Sequence, residues 1–173
     1  MKKALKYLLP VIVLGVVVFA MALEAEDFRI AVVNMDKVID ESYAGQEANK
    51  ALLSFIDIKQ TEVDLLAEEI NRFQEELGEE VTDEQLTQLY AMLADYQEAL
   101  DQANTEVQTQ AQTLRNRLVS EILEVIRQIG EARQYDLIVD SATVTYFTRV
   151  NIVDITGEVI RNYDQIKLQP EDN

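Results

Sequence analysis

The sequence predicts an α+β fold in which a small β-sheet body, completed by oligomerisation, carries a long antiparallel α-helical hairpin inserted between its strands. Three observations carry this. Only two prolines and five glycines interrupt 173 residues, and long helices require such scarcity. Two extended heptad runs lie on either side of Gly78. Short β-branched or apolar runs stand before the first heptads and after the second, so the chain leaves a sheet, makes an excursion and returns.

Composition narrows the function before any motif is found. A chain of this length makes one domain, or one domain with an appendage. Its net charge of −17 disfavours nucleic acid and anionic bilayers as partners. Cys, His and Trp are absent, which excludes disulfides, thiol nucleophiles, imidazole catalysis and zinc sites built on Cys or His.

Residues 1–22 have the form of a secretory signal peptide. Lys2, Lys3 and Lys6 precede an apolar run from Leu8 to Phe19, and Ala20-Met21-Ala22 supplies small residues for cleavage. Its alternative is an uncleaved anchor in the inner membrane. The apolar stretch from Tyr7 to Leu23 is short for a span, however, and Pro10 and Gly15 interrupt it. Cleavage leaves 12 bases against 32 acids, a charge of −20.

The mature chain then reads in order. Phe28 to Asn34 is a buried strand. Asn34 caps a short helix from Met35 to Ser42, and Tyr43-Ala44-Gly45 marks a bend. From Gln46 the seam Leu52, Ile56, Lys59, Val63, Leu66, Ile70, Phe73 and Leu77 has one polar member, Lys59. Gly78 is placed for a left-handed helix end, and Thr82 with Gln85 forms a capping box. A second seam through Leu86, Leu93, Tyr96, Leu100, Ala103, Val107, Gln110 and Leu114 shifts phase into Leu118, Ile122, Val125, Ile129 and Ala132, which carries the helix to about Arg133. Tyr135 to Asp140 is a strand, and Thr143 to Phe147 a second short one. Asp154 caps a last helix through about Tyr163, with Ile155, Val159 and Ile160 inward. The division is therefore signal peptide 1–22, body 23–45 and 134–168, arm 46–133 and polar tail 169–173.

A body of about 58 residues without disulfide or metal is marginal alone, so association of subunits is expected. Ile30, Val32, Leu137, Val139, Tyr146 and Phe147 are the candidate residues of that oligomeric body. From Phe73 to Leu114 there are ten acids and no base. The distal arm thus lacks the Glu–Lys pairs that support a solvent-bridging rod. Phe55, Tyr90 and Met92 fall just off the seams and are candidate contacts for a non-native client. Asp136 and Asp140, evenly spaced on a strand, are the one carboxylate pair that could suggest catalysis. Without cofactor motif, P-loop or His, the chain is not read as an enzyme and no cofactor is expected. Glu75-Glu76 with Glu79-Glu80 could draw Ca²⁺ only weakly, since no ligand loop accompanies them.

The export signal, Ile30-Ala31-Val32-Val33-Asn34-Met35, the helical hairpin, Tyr135-Asp136-Leu137-Ile138-Val139-Asp140 and Val153-Asp154-Ile155-Thr156-Gly157-Glu158-Val159-Ile160, in that order, resemble the Skp/OmpH family of periplasmic chaperones. The resemblance spans nearly the whole mature chain. It implies a periplasmic homotrimer with a central β-body, whose three arms enclose unfolded outer-membrane or secreted proteins without ATP. It implies no nucleic acid partner and at most transient membrane contact. The acidic arms depart from the basic clamp of the best-known members. An acidic cavity favours clients with basic segments or relies on apolar contact alone. A coiled-coil spacer of the envelope, binding one folded partner, is the alternative reading.

Overall fold

The structure, a computed structural model, describes residues 28–78, 80–144 and 152–169. In chain order it comprises β1 (Ile30–Val33), α1 (Met35–Glu41), α2 (Tyr43–Glu76), α3 (Asp83–Arg133), β2 (Leu137–Asp140), a 3-10 turn (Ser141–Thr143), β3 (Ile152–Asp154) and α4 (Thr156–Leu168). The expected signal peptide, Tyr146, Phe147 and the tail beyond Gln169 lie outside the described residues.

The three strands form one parallel sheet in the order β2-β1-β3. Ile30 stands opposite Leu137 and Ile152, and Val32 opposite Val139 and Asp154. Alternation along β1 separates two faces. Ala31 and Val33 are buried, whereas Ile30 and Val32 remain partly exposed. The buried pair, with Ile138, packs on a core of Val38 from α1, Ala44 and Ala48 from α2, Leu118, Ile122, Val125, Ile126 and Ile129 from α3, and Val159 and Tyr163 from α4. The core therefore extends beyond residues 23–45 and 134–168 into the roots of both long helices. The phase shift at Leu118 marks where α3 turns its apolar stripe toward the body.

Local chemistry sets the element ends. The Asn34 carboxamide accepts from the Lys37 N–H at 2.9 Å and opens α1. The Asn34 N–H donates to the Thr156 hydroxyl, also at 2.9 Å, and ties the end of β1 to the start of α4. The expected bend at Tyr43 to Gly45 is instead helical. Buried Ser42 closes α1 through its N–H to the Val38 carbonyl (3.1 Å), and its hydroxyl accepts from the Gly45 N–H (3.2 Å), so α2 begins at Tyr43 rather than Gln46. Gly45 serves close approach rather than a bend: a Cβ there would run into the Ile39 carbonyl.

Other boundaries differ from expectation for equally local reasons. α2 ends at Glu76 with Leu77 extended, and Gly78 is not left-handed. The left-handed residue is Gln134, φ 55°, which stops α3. The Thr82–Gln85 capping box forms with both its bonds, and α3 covers the span predicted for it. The expected strand through Thr143 and Val144 is not formed there. Asp140 accepts from the Ala142 N–H (3.1 Å) and the Thr143 hydroxyl bonds the Asp140 carbonyl (2.7 Å), winding the chain into a 3-10 turn. The further strand is β3. Asp154 assists the start of α4 by accepting from the Thr156 N–H (2.9 Å), but Ile155 occupies the cap position and the helix continues past Tyr163 to Leu168.

Candidate functional site

Two uncovered surfaces distinguish the molecule. The first is the outer face of the sheet. Parallel sheets are ordinarily covered on both faces, yet among the described residues the helices cover one. Ile30, Val32, Leu137, Val139 and Ile152 share the other by register and alternation, and Leu137 is 44% exposed. β2 and β3 each pair only with β1 among the described residues, so each has an unpaired edge. Four of the six residues expected in an oligomeric body, Ile30, Val32, Leu137 and Val139, are thus brought onto a single face.

The second surface lies along the long helices. α2 has 34 residues and α3 has 51, which makes them about 51 and 76 Å long. They pack on each other, and Lys59, Val63 and Leu66 share a groove with Ala99, Ala103 and Glu106. Val63 and Ile70 are buried in this packing. Lys59, the polar member of the seam, reaches Glu62 and Glu106 at 2.8 Å each. Its ammonium also lies 5.7 Å from the Phe55 ring centroid. Hydrogen bonds to Glu106 and then Glu62 raise the Lys59 pKa, and the same contact holds the Glu106 carboxyl below the usual range.

The three candidate client residues have different settings. Tyr90 stands 67% exposed. Phe55 is partly buried beside Lys59, and Met92 is partly buried, as are Leu89 and Tyr96. Near its start the packed stripe of α3 runs through Leu89, Met92 and Tyr96, which leaves Leu86 and Leu93 more open than the predicted seam has them. Leu53, Ile58 and Leu65 on α2, not singled out by the sequence reading, are each more than half exposed. Their signal was present, since all three are apolar residues outside the heptad positions.

Polar groups in the body hold the framework together. The almost fully buried Tyr163 donates its hydroxyl to Glu121, which also meets the Lys167 ammonium at 2.9 Å. Burial acts to raise the Glu121 carboxyl, but Tyr163 and Lys167 outweigh it and keep the pKa below the ordinary value. Burial, and then the Glu121 carboxylate, push the Tyr163 phenol upward. Asp136 accepts from the Arg29 N–H at 2.7 Å and Asp140 from Ala142, so each carboxylate is engaged with backbone. Among the described residues no group of three His, Cys, Asp or Glu is placed to hold a metal ion, and no helix is long and apolar enough to cross a membrane.

A small parallel sheet with one face only partly covered among the described residues, backed by helices and bearing a long helical arm, defines the class of protein: a body with an arm, carrying apolar side chains on its open surfaces. The chain belongs to the outer membrane protein (OmpH-like) family, whose model matches residues 29–163. No protein of curated function matches it. Among solved structures it is similar to a candidate outer membrane chaperone (OmpH-like) from Caulobacter crescentus CB15. The TM-score is 0.59 and the identity 18%, with 83% of this chain and 89% of that chain covered. At that identity the likeness is one of fold.

Proposed function

We propose that this chain is an ATP-independent holdase chaperone of the periplasm, exported by its amino-terminal signal, which surrounds unfolded outer-membrane or secreted proteins and keeps them from aggregating. Three copies join through their sheets, and each contributes an antiparallel helical hairpin to a shared cavity. The observation that carries the reading is the set of large apolar side chains left in water along the arms, Leu53, Ile58, Leu65 and Tyr90 among them. A holder of non-native chains needs many weak, adaptable contacts rather than one shaped pocket, and scattered apolar groups on a polar rod supply them. Phe55, Tyr90 and Met92 belong to this contact set. The partly exposed sheet face supports the oligomer, because a second and third copy would cover what the described helices leave open. Family membership supports the chaperone assignment.

The test is light scattering of a β-barrel membrane protein diluted from urea, with and without the mature chain, beside a mass measurement of the purified assembly. Suppressed scattering and the mass of three copies are expected. Full aggregation in the presence of excess chain overturns the holdase, and a stable monomer overturns the assembly.

A further inference from the structure

The apolar face of α3 near the far end of the arm is wider than α2 covers. Leu89, Met92 and Tyr96 are drawn into the packing. On the neighbouring stripe Leu86, Tyr90 and Leu93, spaced i, i+4 and i+7, stay 38%, 67% and 40% exposed. Acids dominate around this strip: the stretch from Phe73 to Leu114 contains ten acids and no base, and the register in which Lys59 meets Glu106 and Leu66 meets Ala99 sets Arg72 of α2 near the level of Leu93, among Glu68, Glu69, Glu75 and Glu76. Asp83 stands seven residues before Tyr90 and Asp101 eleven after it, so helical spacing returns both exposed carboxylates to the Tyr90 side. A second copy of the arm carries the same charge and is repelled from the strip, as is an anionic bilayer. A chain carrying cations among apolar side chains meets attraction from both kinds of group.

We infer that the Leu86–Tyr90–Leu93 strip is a docking surface for unfolded segments in which Lys or Arg is interspersed with large apolar residues, and that it discriminates against acidic segments of equal hydrophobicity. This rests on the holdase reading and adds the class of client segment to it.

Two labelled, unstructured peptides test it. They share the same apolar residues, one carries Lys where the other carries Glu, and their binding to the full assembly is followed by fluorescence anisotropy. The Lys peptide is expected to bind roughly tenfold more tightly than the Glu peptide at low salt, with the gap closing as salt is raised. Tyr90→Ser should weaken the Lys peptide roughly fivefold. Asp83→Asn with Asp101→Asn, which keeps the apolar strip, should narrow the Lys-to-Glu preference by roughly threefold. All the substituted positions are exposed on a helix, and circular dichroism verifies that the variants fold. Equal affinity for both peptides, or Lys-peptide binding indifferent to Tyr90→Ser, overturns the inference while suppressed aggregation still upholds the holdase. A change of assembly mass in Tyr90→Ser makes the strip a contact between copies and overturns it as well. If neither peptide binds and aggregation proceeds, the holdase reading itself falls.

Discussion

Gly45 lies within α2, where glycine ordinarily costs about 0.5–1 kcal/mol relative to alanine, yet the Ile39 carbonyl occupies the space an alanine methyl would need. The sign of the usual substitution therefore reverses. Gly45→Ala is expected to destabilise the chain by about 1–3 kcal/mol, read as a lowered urea midpoint; an increase would mean that the α1–α2 corner can yield. Glu121 gives a second prediction, with a pH signature. Its carboxyl has a folded pKa below the ordinary glutamate value of 4.5. Its contribution is thus complete above that value and is lost as pH falls through the folded pKa. Glu121→Gln should cost roughly 1–2 kcal/mol at neutral pH, the order expected for charge-assisted hydrogen bonds. Denaturation of the two chains should converge as acid takes the pH through the folded pKa, and a difference that stays constant across the whole acid range would assign the effect to packing alone. Neither role was legible in the sequence. Gly45 read as a bend because Ser42 was assigned to the helix before it, and the Tyr163–Glu121 contact joins residues 42 positions apart.

Among the elements, the long helices were the most legible, because their signals are local. The capping box at Thr82 and Gln85 and the heptad spacing to Arg133 lie within the helix they define. β3 was not legible: its three residues run almost directly into α4, and only pairing with β1 makes them a strand. The parallel arrangement of the sheet likewise depends on contacts that no short window contains. Lys59 is informative at this scale. It is the seam's polar member, and it joins α2 to α3 through Glu106. Such pairs fix register at some expense of stability. Replacing Lys59 and Glu106 together by Leu, which continues the apolar seam, is expected to raise the melting temperature of the arm. Thermal circular dichroism reads the change, and a lower melting temperature would mean that the pair is net stabilising.

For the whole molecule, the proposed assembly makes the partly exposed sheet face decisive. Val32→Asp places a carboxylate in the middle of that face, next to Val139 and Asp154 in register, and should lower the native mass toward one copy; an unchanged mass would locate the subunit contact elsewhere. Excising residues 67–98 and closing the gap with a short flexible linker cuts both helices at the level where Leu66 and Ala99 share a groove. Aggregation suppression should then be lost while the oligomer number is kept. The acid bias of the arm was readable from the sequence. The extent of the core was not, since Ala44, Ala48, Leu118, Ile122, Val125, Ile126 and Ile129 look locally like further coiled coil and only the fold turns them inward. One consequence concerns how the chain acquires its fold. Arg29 and Asp136, which meet beside the β1–β2 pair, are 107 positions apart, and closing so long a loop from a random chain is slow and entropically unfavourable. If the two long helices zip together first by near-neighbour contacts, they bring the two strands within reach before the sheet exists, and the arm would serve as the template for its own base.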